Sequence, residues 1–84
     1  MIRVLFFASV RDRLGVAQIE VDVAAAGDNL LTLRDLLVAK GGDWAEVFGA
    51  NDRLLVAINQ ELVSMQMAIE DGDEIAFFPP VTGG

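Results

Sequence analysis

At 84 residues the chain has room for one domain of about 9 kDa, which excludes a two-domain enzyme. Hydrophobic residues make up 54% and charged residues 23%, which excludes a disordered chain and a coiled coil and leaves a compact fold with one modest core. Thirteen acidic residues against six basic ones give a net charge of −7, which disfavours nucleic acid and anionic membranes as partners and favours a basic protein surface. The absence of both Cys and His removes thiolate chemistry, disulfides, nearly every zinc site and most acid–base catalysis near neutral pH.

The N-terminal stretch Met1 to Val10 has a faint signal-peptide character, but charge returns at Arg11 and Asp12, and the segment reads better as a strand. The longest uncharged run, the ten residues from Ile75 to Gly84, is too short to span a membrane and contains two prolines, so a cytoplasmic protein is expected. In residues 2–8, Ile2, Val4, Phe6 and Ala8 fall on one side of a strand and Arg3, Leu5 and Phe7 on the other. Arg11 to Gly15 reads as a polar turn. Ala17 to Val23 then alternates, with Ile19, Val21 and Val23 on the apolar side, as a second strand hairpinned to the first.

Thr32-Leu33-Arg34-Asp35 fits a capping box and predicts the start of the main helix, with Leu31 and Leu36 as a hydrophobic staple and Gly41-Gly42 as its stop. Asp43 to Phe48 reads as a short second helix carrying Trp44, Val47 and Phe48. Leu54 to Ile58 is a nearly continuous apolar run, expected inside the sheet, followed by a turn at Asn59-Gln60 and a short strand at Glu61 to Ser64. Glu70 to Asp73 is a turn with Gly72 suited to positive φ, and Ile75 to Phe78 is the last strand. Together these predict an α+β fold, a mixed sheet of about five strands with one main helix across one face, in a roll of the ubiquitin type.

The candidate chemical sites are sparse. Glu70-Asp71-Gly72-Asp73-Glu74 lacks the spacing of a calcium loop and reads as a solvated turn. Asp71 and Asp73 show no sign of the burial that would make them a catalytic pair. Arg11 and Arg13 flank Asp12 as a local basic pair, and Gly41-Gly42 lacks the context of a phosphate loop. Phe7, Leu62 and Phe78 are either ordinary core or, since a helix covers only one face of the sheet, part of an apolar interaction patch on the other. The end of the chain favours the patch. Pro79-Pro80-Val81-Thr82-Gly83-Gly84 is a stiff diproline followed by residues without bulk, an extended tail of roughly 18–20 Å that fits a narrow channel. A terminal carboxylate is a poor electrophile, and such a tail needs activation by a separate ATP-using enzyme.

Three segments, Val4-Leu5-Phe6-Phe7-Ala8 with Val10-Arg11, Leu55 to Gln60 with Leu62-Val63-Ser64, and Asp71 to Gly84 ending in Phe-Phe-Pro-Pro-Val-Thr-Gly-Gly, resemble the small sulfur-carrier subunits of molybdopterin synthase, a ubiquitin-like β-grasp family. Ala24 to Asp52 matches only in helix pattern. The resemblance implies a β-grasp domain over residues 1–78, a Gly-Gly tail over 79–84, and a role as sulfur carrier in molybdenum cofactor biosynthesis. It implies that Gly84 is adenylated by a ubiquitin-activating-like enzyme using ATP and converted to a thiocarboxylate with sulfur from a donor protein. The tail, Pro79, Pro80, Val81, Thr82 and Gly83, would then place Gly84 in the active site of the large subunit, within a heterotetramer, to give sulfur to cyclic pyranopterin monophosphate. The chain would bind no cofactor or metal of its own and would not be an enzyme alone. Phe7, Leu62 and Phe78 would meet both protein partners, with Arg11 as a polar contact. The alternatives are a thiamine-pathway sulfur carrier, a protein modifier conjugated through Gly84, and an interaction module with an inert tail.

Overall fold

The computed structural model describes residues 1–49 and 54–80. Along these run β1 (Ile2–Phe6), α1 (Ala8–Leu14), β2 (Gln18–Val21), α2 (Val23–Ala26), α3 (Leu30–Val38), α4 (Gly42–Gly49), β3 (Leu55–Ile58), β4 (Glu61–Val63) and β5 (Glu74–Phe78). The strands form one five-stranded sheet in the order β2-β1-β5-β3-β4. β1 and β5 are parallel, and the other three pairings are antiparallel. The last strand is therefore central. The expected mixed sheet is present, and β3 is interior as its apolar run implies.

Alternation sorts the sheet into two faces. Ile2, Val4 and Phe6 of β1, Val21 of β2, Val56 of β3, and Ile75 and Phe77 of β5 point into the core. There they meet Val10 of α1, Leu30, Leu33 and Leu37 of α3, and Val47 and Phe48 of α4. The Phe48 ring lies 5.1 Å from Phe77 and 6.0 Å from Phe6, and Trp44 closes the cluster 5.4 Å from Phe6. Buried rings of this kind each stabilise the fold by about 1.5–3 kcal/mol. Among the described residues no polar or charged side chain is fully buried, and no helix is long and apolar enough to cross a membrane.

Several local expectations are corrected, the first being the strand over residues 2–8, which ends at Phe6 because Ala8 opens α1. Arg11 to Gly15 is not a turn but the end of α1, whose chain closes at Gly15 with φ +75° and an N–H bond of 2.9 Å to the Arg11 carbonyl. Burial of Val10 pulls the segment into the core, while the cap residue, Phe7, has no side-chain acceptor to announce the start. Val23 does not extend β2. It opens α2, because Asp22 accepts a hydrogen bond of 3.0 Å from the Ala24 N–H and caps that turn.

The main helix starts earlier than Thr32. Asn29 is its cap, with Asn29 Oδ1 accepting from the Thr32 N–H at 3.1 Å and Thr32 Oγ1 accepting from the Asn29 N–H at 3.2 Å. Thr32 is thus the returning partner of a capping box rather than its first residue, and Leu31 and Leu36 do not hold the staple positions. The helix that follows Gly41 runs from Gly42 to Gly49 and includes the expected segment Asp43 to Phe48.

The hairpin turn Asn59-Gln60 has positive φ at both residues (+50° and +72°), the signature of a two-residue type I′ connection. Asn59 also fastens it to the acidic turn. Its Nδ2 donates to Asp73 Oδ1 at 3.0 Å, and its Oδ1 accepts from the Glu74 N–H at 3.0 Å. Asp73 Oδ2 accepts in turn from the Glu70 N–H at 2.7 Å. The Met1 ammonium pairs with Asp71, and the Met1 carbonyl accepts from the Gly72 N–H at 3.0 Å. The acidic turn, with Gly72 at φ +91° as expected, is a structural junction.

Candidate partner-binding surface

The helices cover the core face, and the opposite face of the sheet is open along its centre. Strand registry assembles that face from Leu5 of β1, Ala76 and Phe78 of β5, Leu55 and Ala57 of β3, and Leu62 of β4. Phe6 pairs with Phe77 across the parallel strands, so the next residues, Phe7 and Phe78, are neighbours at the same end. The backbone keeps them there. Phe7 remains extended (φ −125°, ψ 154°), and its N–H donates to the Phe77 carbonyl at 3.2 Å. Ala8 then turns the chain into α1 at φ +53°, a left-handed conformation that is unfavourable for a residue with a Cβ.

Phe7 is 46% exposed and Leu62 is 62% exposed, high values for large apolar groups, while Phe78 is half-buried opposite Leu55. Leu62 faces Ala57, which faces Ala76, so it stands roughly 10 Å from β5 across two strand spacings. The three predicted contact residues therefore share one face. Leu5, Leu55, Ala57 and Ala76 form its floor, and the sequence reading left them out of the site. Their signal was the alternation of β5 combined with the strand order, and that order is not visible in the linear sequence.

Arg11 lies one helical turn beyond Phe7, with its N–H directed to the Phe7 carbonyl at 3.4 Å. Its side chain is exposed, and among the described residues no carboxylate lies within ion-pair distance of it. Arg13 differs. Its guanidinium reaches Asp43 at 3.3 Å and Glu46 at 2.5 Å on α4, so the sequence pair is divided between a structural cation and one that faces solvent. At the far end of the same face, Arg3 and Glu74 pair at 3.4 Å beside Glu20. The surface is polar where β5 begins and apolar where β5 ends.

The chain leaves that apolar end at once, through half-buried Pro79 and Pro80. Val81, Thr82, Gly83 and Gly84 lie outside the described residues. Among the described residues no group of acidic side chains is placed to hold a metal ion. The surface offers apolar contact with one charged rim residue.

Comparison with known proteins gives a consistent pattern. The ThiS family model matches residues 4–84. The molybdopterin synthase sulfur carrier subunit of Haemophilus influenzae is 49% identical over 86 residues, and that of Escherichia coli 48% over 84, each match covering all of both chains. Among solved structures, the chain is similar to the small archaeal modifier protein SAMP1 of Haloferax volcanii, with a TM-score of 0.78, 31% identity, and coverage of 99% of this chain and 98% of that one. It is also similar to a chain from the complex of subunits 1 and 2 of the molybdopterin-converting factor of Helicobacter pylori, with a TM-score of 0.68, 25% identity, and coverage of 99% and 97%.

Proposed function

Because this chain belongs to the ThiS family and aligns from end to end with molybdopterin synthase sulfur carrier subunits, we propose that it carries sulfur on its C-terminal glycine for molybdopterin synthesis. The β-grasp body, residues 1–78, is the handle, and residues 79–84 are the working tail. The end of β5 at Phe78 supports that division. An activating enzyme consumes ATP to adenylate the Gly84 carboxylate, releasing pyrophosphate. A donor protein then delivers sulfur at the sulfide level, directly or as a persulfide whose S–S bond a thiol reductant cleaves; a C–S bond forms at the acyl carbon, the bond to AMP breaks, and a thiocarboxylate remains. The loaded tail enters the large subunit of the synthase, where sulfur passes to cyclic pyranopterin monophosphate and water supplies the oxygen that restores the carboxylate. The chain itself is a carrier and not the catalyst, and it works in the cytoplasm.

The observation that carries this reading is the adjacency of the apolar end of the open face to Pro79. Whatever grips Phe7, Phe78 and Leu62 receives the emerging tail in a fixed direction, and the diproline limits the conformations the tail loses on entry. Arg11 supplies a cation at the rim of the same contact. The activating enzyme and the large subunit use this face in turn, so neither contact is permanent. Deleting Gly84 tests the assignment: the truncated chain is expected to fold and to bind the large subunit, while sulfur transfer is lost. Retained transfer would overturn the reading.

A second reading, a protein modifier joined through Gly84 to lysines, is favoured by the likeness to the archaeal modifier protein. Gly84 isopeptide adducts in cell extracts are its expected mark. Their absence together with a thiocarboxylated terminus would reject it.

A further inference from the structure

A groove of about 270 Å³ opens on the other side of the β3–β4 hairpin from Leu62. Its floor is apolar, from Ile58, Val63, Met67 and Ala68, and Met67 is 45% exposed there. Glu61 and Glu70 stand at its rim, and neither forms an ion pair among the described residues. Asp73 also borders the groove, but its two oxygens are engaged by Asn59 and by the Glu70 N–H, at 3.0 and 2.7 Å. Those bonds fix the hairpin turn against the acidic turn, so the rim is held in place.

We infer that this groove docks a basic segment of a protein partner, one Lys or Arg lying with its aliphatic stem along Val63 and Met67 and its cation between Glu61 and Glu70. Charge complementarity supports this occupant, since the chain carries −7 overall and the rim presents unpaired carboxylates above an apolar floor. A long basic side chain is the group that satisfies both, because its stem covers apolar surface while its head stays polar. Exposed methionine adapts to stems of different shape. Glu61 and Val63, which line the groove, flank Leu62 of the open face along β4, so the two surfaces adjoin at that strand. The inference concerns the body of the protein and is independent of the chemistry at Gly84.

The test is an NMR titration of the ¹⁵N-labelled full chain with a short capped peptide containing Lys and Arg among apolar residues, at low and at moderate salt. The expected shifts cluster at Glu61, Val63, Met67, Ala68 and Glu70, and weaken as salt rises. The double variant E61Q/E70Q, whose changes are both at exposed sites, should weaken binding about fivefold or more. M67A should weaken it with the charges intact. Shifts spread evenly over all acidic surfaces, or affinity unchanged in E61Q/E70Q, would overturn the proposal, as would binding confined to Phe7 and Phe78. Sulfur loading of Gly84 in E61Q/E70Q is read separately, so failure at the groove and failure of the carrier assignment are distinguishable.

Discussion

Phe7 and Phe78 stand side by side at the ends of two parallel strands, joined through the 3.2 Å bond from the Phe7 N–H to the Phe77 carbonyl. Each follows a ring that is fully buried, Phe6 and Phe77. The chain thus alternates within two residues between a ring buried in the core and a ring on the open face of the sheet.

Separate substitutions should divide these roles. Phe7→Ala is expected to cost about 1 kcal/mol or less in stability, since nearly half of the ring already meets water, but about 2 kcal/mol in binding the large subunit, roughly thirtyfold in Kd. Phe78→Arg should act in the same direction. Phe77→Ala should instead destabilise by about 3–5 kcal/mol. Urea unfolding followed by Trp44 fluorescence, with calorimetric titration for binding, checks all three. A Phe7→Ala chain that unfolds as readily as Phe77→Ala would show Phe7 to be core.

Ala8 carries local strain where the chain passes from Phe7 into α1. Ala8→Gly is expected to leave α1 in place and to stabilise the fold by about 0.5–1 kcal/mol, because glycine adopts φ near +53° without penalty. Ala8→Val should do the opposite by more than 1 kcal/mol, roughly. Chemical denaturation midpoints read the order directly: Gly above Ala above Val.

The pairing of the Met1 ammonium with Asp71 makes a small pH-dependent contribution. Hydrogen bonding to Asp71 raises the amine pKa above its ordinary 8.0, so its contribution is complete below pH 8 and is lost as pH rises through the folded value. The same bond lowers the Asp71 carboxyl below 3.8, so that contribution is present above pH 3.8 and is lost as pH falls through the lowered value. Asp71→Asn should therefore lower Tm most between these limits. At alkaline pH the difference from the parent chain should narrow. A difference that stays constant from pH 6 to pH 11 would assign the effect of Asp71 to something other than the amine.

The strands were legible because β-branched and aromatic residues alternate at Ile2–Phe6 and Gln18–Val21 and run together at Leu55–Ile58, signals that survive without tertiary context. The helix boundaries were less so. Thr32-Leu33-Arg34-Asp35 matches a capping box in sequence, whereas the cap that forms is Asn29, which brings Leu30 into the helix and the core. The start of α1 had no signal, since Phe7 caps it with backbone geometry alone. Phe7, Leu62 and Phe78 were identified from aromatic and aliphatic residues that a single helix layer could not cover. Their floor, Leu5, Leu55, Ala57 and Ala76, required β5 to lie between β1 and β3, and nothing local specifies that order.

The carrier assignment is tested most directly by the intact mass of the chain produced together with its activating enzyme and a sulfur donor. A gain of about 16 Da is expected, one oxygen replaced by sulfur, located at Gly84 by fragmentation. An unmodified terminus under those conditions, or a sulfur atom located elsewhere in the chain, would contradict it.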